Sequence, residues 1–289
     1  MGNRRSAKST LLVPIDAVPA IRPALLKQQA ALLVEHFADP PAYIRSLRYL
    51  LDFYADRARR PGQAGMPAPI ISAYNVRPPV IRMILQELTP SAIDAPEDGL
   101  ALCDALWAES HLEFRLLAAM LLGIIPADPP ERIISRLKAW LSPDLEFHLI
   151  DAVMNHAFER LRQEHPRSIV QLIQNWLESS KPLYQQLGLR LLLPLVENPH
   201  FENLPVFYRL LQPLACSVPP GLRPDLLDVL AALARRSPQE TSYFLCQTLI
   251  YPDAADTAWL IRQLLNEFPS EQGQILRRNL KNAAPPSRT

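Results

Sequence analysis

The sequence contains little glycine and few aromatic residues, and both shortages bear on the fold class. Among its 289 residues there are 8 glycines, and Phe, Trp and Tyr together make up 7%. Sheets are typically rich in aromatic and β-branched residues. Here the 48% of hydrophobic residues is supplied mainly by leucine and alanine, which are strong helix formers. The composition therefore favours helices packed on helices.

The chain also lacks a charge excess, a cysteine framework and a long apolar run. Lys and Arg number 30 against 29 Asp and Glu, which argues against an extended basic surface for DNA, although not against a local one. The 3 cysteines are far apart and form no C-x-x-C pair, which fits a reducing compartment and argues against a disulfide or zinc framework. Every apolar run falls short of the ~18 residues that a membrane span needs. We expect a cytoplasmic protein without a membrane span or cofactor.

Proline is abundant, with 30 residues, and recurs between apolar stretches of helical period. Proline fits the first helical position because its missing N–H has no intrahelical partner there. Asp39 and Ser237 precede such prolines and can accept free main-chain N–H groups; Ser237 with Glu240 predicts a capping box. The predicted helices are 23–37, 40–60, 78–88, 96–107, 111–124, 129–141, 145–163, 166–179, 181–196, 204–215, 223–236, 238–250, 256–268 and 270–281.

An internal repeat is visible in the tryptophans. Trp107, Trp140 and Trp176 each lie near a predicted helix end, 33 and 36 residues apart. A period in the mid-thirties with two helices per unit is typical of α-solenoids. The three indoles either fill the same gap between successive repeats or form an aromatic row that binds a ligand.

These patterns predict an all-α fold, a right-handed α-solenoid of HEAT-like antiparallel helical hairpins. We expect one domain over 23–281 with an irregular loop at 61–77. A flexible leader is expected at 1–22 and a disordered tail at 282–289.

One polar stripe stands out on the helix predicted at 145–163. Asp144, His148, Asp151 and Asn155 are spaced four, three and four residues apart, which places them on one helical face. The stripe is either solvated surface or a general base with its orienting partner. One helix supplies too few ligands for a closed metal site, so no metal is predicted.

Basic residues also share a helix face. Arg132 and Arg136 are four residues apart on the helix predicted at 129–141. They either contact phosphate or are ordinary solvated charges of an amphipathic helix.

Two segments go beyond generic helical repeats. Tyr74–Arg82, which reads YNVRPPVIR, resembles the hydrophobic-Gly-Val-x-x-Pro-x-hydrophobic-Arg motif of the AlkD-type DNA alkylation repair proteins. Leu106-Trp107, followed by Glu113-Phe114-Arg115 and Ala118, resembles the L-W and E-x-R-x-x-A repeat of that family. The resemblance covers roughly 70–250.

The resemblance implies a HEAT-like solenoid that holds alkylated duplex DNA in a basic concave groove and excises a cationic alkylpurine. It implies a site of one acid, two tryptophans and an arginine. Asp151 stands at the acid position, and Phe147 replaces one tryptophan. The arginines of the W-x-R-R motif fall on Gln185 and Gln186, and the tryptophan of the later G-W motif is missing from 225–236.

These replacements predict weak or absent excision. An aromatic face stabilises a cationic base by about 0.5–2 kcal/mol, and glutamine cannot grip phosphate with an arginine's charged fork. The first hypothesis is a divergent member of the family that binds duplex DNA, with Asp151 and Phe147 as catalytic residues and Arg132 and Arg136 as phosphate contacts. The alternative is a non-enzymatic scaffold that binds a protein partner on its concave face.

Overall fold

The computed structural model describes residues 21–57, 71–142, 145–252 and 254–282, and the regular elements in these ranges are helices. The all-α prediction is confirmed for this part of the chain. Most of the predicted leader, loop and tail lies outside the described residues. No helix in the described ranges is long and apolar enough to cross a membrane.

The chain divides into two compact units, one up to Arg160 and the other from Leu161. The first contains α1 (Pro23–Val34), α2 (Pro40–Phe53), α3 (Pro78–Asp94), α4 (Pro96–Ala108), α5 (Leu112–Leu122), α6 (Glu131–Trp140) and α7 (Phe147–Ala152). The π turn Val153–Ala157 follows α7, and α8 (Glu159–Glu164) begins in this unit. The second contains the end of α8, followed by α9 (Pro166–Leu177), α10 (Pro182–Glu197), α11 (Leu204–Cys216), α12 (Arg223–Arg236), α13 (Pro238–Thr248), α14 (Thr257–Leu264) and α15 (Ser270–Asn282).

Each predicted helix overlaps an observed one, and three of the predictions differ from the structure most clearly. The predicted helix 40–60 ends at Phe53. The predicted helix 78–88 continues to Asp94 through Pro90, because Ile84, Leu88 and Ala92 form a buried stripe that outweighs the lost hydrogen bond. The predicted helix 145–163 is interrupted by the π turn.

The capping predictions have different outcomes. Asp39 caps α2, because its carboxylate accepts a hydrogen bond of 3.1 Å from the Ala42 N–H. The capping box at Ser237 is wrong: Ser237 stands at the N-cap of α13, but its side chain caps no main-chain N–H. Its hydroxyl instead donates to the Glu240 carboxylate, so the two side chains bond each other rather than the helix end.

Tryptophans contribute to the packing of both units. Trp140 is 6% exposed and Trp176 is 5% exposed, while Trp107 is half-buried. The rings of Trp107 and Trp140 stack in parallel with centroids 4.2 Å apart. Their burial supports the interpretation that the indoles fill gaps between helices.

The buried phenol of Tyr43 predicts that removal of its hydroxyl group stabilises the fold. Its side chain is 0% exposed, and its hydroxyl has no hydrogen-bond partner among the described residues. Because an unpaired buried hydroxyl is unfavourable, we expect Tyr43→Phe to raise the free energy of unfolding by about 1 kcal/mol. Urea denaturation at pH 7 measures this change, and a lower midpoint for the variant would contradict it.

The same phenol predicts a dependence on alkaline pH. Burial raises the pKa of Tyr43 far above its ordinary value of 10.0. Above pH 10 the unfolded chain releases this proton while the folded chain keeps it, so stability falls as pH rises. Tyr43→Phe should therefore lose less stability than the wild type above pH 10.

Candidate functional site

The two segments that carry the family resemblance meet in the structure. The Leu112 N–H donates to the Ser72 carbonyl at 2.9 Å, and the Tyr74 N–H donates to the buried Glu113 carboxylate at 3.0 Å. The Tyr74 ring stacks on the His111 imidazole with centroids 4.8 Å apart, and burial raises the pKa of Tyr74. The segment before α3 is thus fastened to the start of α5.

The same segment also reaches the start of α7. The Ile71 N–H donates to the Glu146 carboxylate at 3.2 Å. Glu146 directly precedes Phe147, the first residue of α7. The first turn of α7 is therefore tied to the segment that also binds α5.

The structure places the predicted acid and aromatic residue on one helix. Phe147 and Asp151 are four residues apart on α7, so they share a face. Phe147 is 52% exposed, and Asp151 is half-buried. The His148 ring lies beside Phe147, with centroids 6.3 Å apart. An exposed aromatic face beside a carboxylate can meet a cationic ligand.

The predicted four-residue stripe is interrupted. Asp144 lies outside the described residues. Asn155 falls within the π turn Val153–Ala157, so the helix there is not the unbroken α-helix that the sequence predicted. The shared face of the four residues stays a prediction.

Arg132 and Arg136 lie on α6 and pair with carboxylates of α4. Arg132 forms an ion pair with Glu97. Arg136 places its guanidinium fork on Asp104, with Nε 2.9 Å and Nη2 2.8 Å from the two carboxylate oxygens. The arginine side chains are 28% and 25% exposed. Both positive charges are thus matched by acids of a neighbouring helix.

Of the two glutamines at the arginine positions of the resemblance, Gln185 donates to the Leu177 carbonyl and Gln186 joins a carboxylate network in the second unit. Gln186 of α10 donates to the Asp225 carboxylate at 2.9 Å, and Arg190 donates to the same carboxylate at 3.1 Å. Arg190 is not among the residues predicted from the sequence. Its signal was its position one helical turn after Gln186.

Metal ligands are not grouped in the described ranges. No set of three or more His, Cys, Asp or Glu side chains there could hold an ion. Cys103 is buried, and burial raises the pKa of its thiol well above the ordinary value.

Comparison with known proteins identifies a family match. The family model described as DNA alkylation repair enzyme matches residues 51–215. This range includes α7 and both segments that carry the resemblance. No curated protein and no solved structure matches the chain.

Proposed function

The chain belongs to the DNA alkylation repair enzyme family, and we propose that it is a divergent member that binds duplex DNA and releases a cationic alkylpurine slowly. The observation that carries this proposal is the pairing of Phe147 and Asp151 on α7. The start of that helix is tied to the motif segment before α3 through Glu146.

The chemistry assigned to α7 is electrostatic. As the bond between base and deoxyribose breaks, its electron pair goes to the cationic base, which leaves as a neutral molecule, and positive charge develops on the sugar, where the Asp151 carboxylate stabilises it. Water then adds to the sugar carbon and loses a proton. The exposed face of Phe147 stabilises the cationic base by about 0.5–2 kcal/mol. A single aromatic face beside Asp151 accounts for slow release.

The proposed architecture is a right-handed α-solenoid of HEAT-like hairpins over 23–281. Support comes from side-chain contacts that recur at the sequence period of the repeat. Arg136 and Asp104 are 32 residues apart, Tyr208 and Thr241 are 33 apart, and a third such contact also spans 32 residues, Arg235 to Glu267. Contacts between equivalent positions of successive repeats produce this spacing.

A second candidate function is a non-enzymatic scaffold for a protein partner. The observation that favours it is that the positive charges of Arg132 and Arg136 on α6 are neutralised by Glu97 and Asp104 of α4. The net charge of +1 agrees with this alternative. A DNA-binding role for the two arginines requires phosphate to displace both carboxylates.

Releasing these arginines tests the DNA-binding proposal. In the double variant Glu97→Gln/Asp104→Asn, Arg132 and Arg136 lose their acidic partners. We expect duplex DNA to bind about 10-fold tighter at low salt. The dependence of log affinity on log salt should steepen by about 2, because each phosphate contact contributes about 0.9. Fluorescence anisotropy over a salt series measures both quantities.

The matched control removes two acids elsewhere. Asp52→Asn/Glu267→Gln releases Arg57 and Arg235, which also form ion pairs and are more exposed than Arg132 and Arg136, and it changes the net charge equally. An equal gain in the control would assign the effect to net charge alone. No salt-dependent binding by the wild type or by either variant would favour the scaffold.

A further inference from the structure

The glycine that follows α5 is required by space and not by backbone conformation. Gly123 has φ −72° and ψ −8°, a conformation that every residue adopts readily. A Cβ atom at this position would lie 2.0 Å from the carbonyl oxygen of His156 and 2.9 Å from its carbonyl carbon. Both atoms belong to the main chain, so a rotamer change cannot relieve the clash.

The element that Gly123 meets is the π turn that follows Asp151. His156 lies in the turn Val153–Ala157, and the Arg160 N–H just beyond it donates to the Gly123 carbonyl at 3.2 Å. Turns of this kind arise from one extra residue in an α-helix and occur often at functional sites. The end of α5 therefore packs closely against the turn and forms a hydrogen bond with α8, the helix that follows the turn.

Asp151 precedes the turn by two residues, and Val153, Met154 and Ala157 of the turn are buried. These buried side chains prevent the turn from moving independently of the helix around it. A shift of the His156 main chain is thus transmitted to the end of α7, where Asp151 lies.

We infer that Gly123 is a positioning residue for Asp151: its missing side chain lets α5 approach the π turn closely enough to fix where α7 presents the carboxylate. This inference rests on the proposed function. In Gly123→Ala the turn must retreat by at least about 1 Å to reach an ordinary contact distance. A displacement of that size can lower a rate about 100-fold, because electrostatic stabilisation depends on geometry.

The test compares Gly123→Ala with Gly99→Ala in the same unit. A Cβ at Gly99 would lie 3.0 Å from Ile125 Cδ1, the flexible end of a side chain, so the control adds the same methyl group without a main-chain clash. The measurements are single-turnover release of an N7-alkylated guanine from a duplex oligonucleotide, duplex affinity by anisotropy, and the melting temperature.

We expect release by Gly123→Ala to fall at least 10-fold while duplex affinity stays within twofold of the wild type. Gly99→Ala should release the base at the wild-type rate. In an Asp151→Asn background, Gly123→Ala should cause no further loss of release, which a general packing defect would not produce.

A second variant covers the case in which Gly123→Ala does not fold. Deleting Asn155, an exposed residue of the π turn, lets the helix close with regular α hydrogen bonds and moves its main chain relative to Gly123. We expect the same loss of release. If folded Gly123→Ala or the Asn155 deletion variant releases the base at the wild-type rate, the inference is overturned, while the proposed function still stands. No release by the wild type contradicts the proposed function itself, and the inference fails with it.

Discussion

Replacing Arg236 with alanine is expected to lower the free energy of unfolding by about 3 kcal/mol. Arg236 ends α12, and its guanidinium donates to main-chain carbonyls at the end of α10 and in the segment that follows. Nη1 lies 2.6 Å from the Val196 oxygen and 3.3 Å from the Leu195 oxygen, and Nη2 donates to the oxygens of Pro199 and Phe201. The last carbonyls of a helix have no intrahelical partner, so the loss of Arg236 leaves them unsatisfied in a partly buried place.

The adjacent arginine supplies the control for this prediction. Arg235 forms an ion pair with Glu267 and is 56% exposed, and such surface pairs contribute about 0–1 kcal/mol. Urea denaturation of Arg235→Ala and Arg236→Ala should therefore give clearly different midpoints. Arg236→Lys should recover only part of the loss, because an ammonium group cannot span four carbonyls. Equal losses for the two alanine variants would show that the carbonyl contacts contribute little.

Trp140→Ala is expected to cost about 3–5 kcal/mol of stability, the range for truncating a buried large aromatic residue. The indole is 6% exposed and stacks on Trp107 at 4.2 Å. Trp140 follows Arg136 by four residues on α6 and so lies on the same helix face as Arg132 and Arg136, which form ion pairs with α4. Its loss opens a cavity beside Trp107 and removes the stacking partner.

This substitution also separates the two interpretations of the tryptophans. If Trp140 is packing, Trp140→Phe should restore much of the lost stability, and duplex DNA affinity should stay unchanged while the protein is folded. Chemical denaturation and anisotropy on the same samples measure both effects. A stability loss below 1 kcal/mol together with weaker DNA binding would support the aromatic row as a ligand site.

Most of the helices could be predicted from the sequence because their signals are local. Apolar periodicity marks the buried faces, and proline marks the starts, as at α2, where Asp39 also caps the helix. The interruption at Val153 could not be predicted, since a π turn offsets the helix by one residue without changing its composition. The continuation of α3 through Pro90 depends on tertiary burial, which outweighs the local cost of proline.

The candidate site was predictable only in part, for the same reason. The adjacency of Phe147 and Asp151 follows from a spacing of four on one helix. The partners of Arg132 and Arg136 lie on α4, 35 and 32 residues earlier in the chain, so the neutralisation of these charges requires the fold. The role of Gly123 depends on its distance to the His156 carbonyl, which no sequence pattern encodes.

Asp151 is proposed to stabilise the loss of a cationic alkylpurine from duplex DNA. The most direct measurement is single-turnover release of an N7-alkylated guanine by the wild type and by Asp151→Asn, with the protein-free duplex as the baseline. We predict slow release by the wild type that falls about 100-fold with Asp151→Asn, because the amide is isosteric and carries no charge. Equal release rates for the wild type and Asp151→Asn would contradict the proposed role of Asp151. No release above the baseline by the wild type would contradict the proposed function.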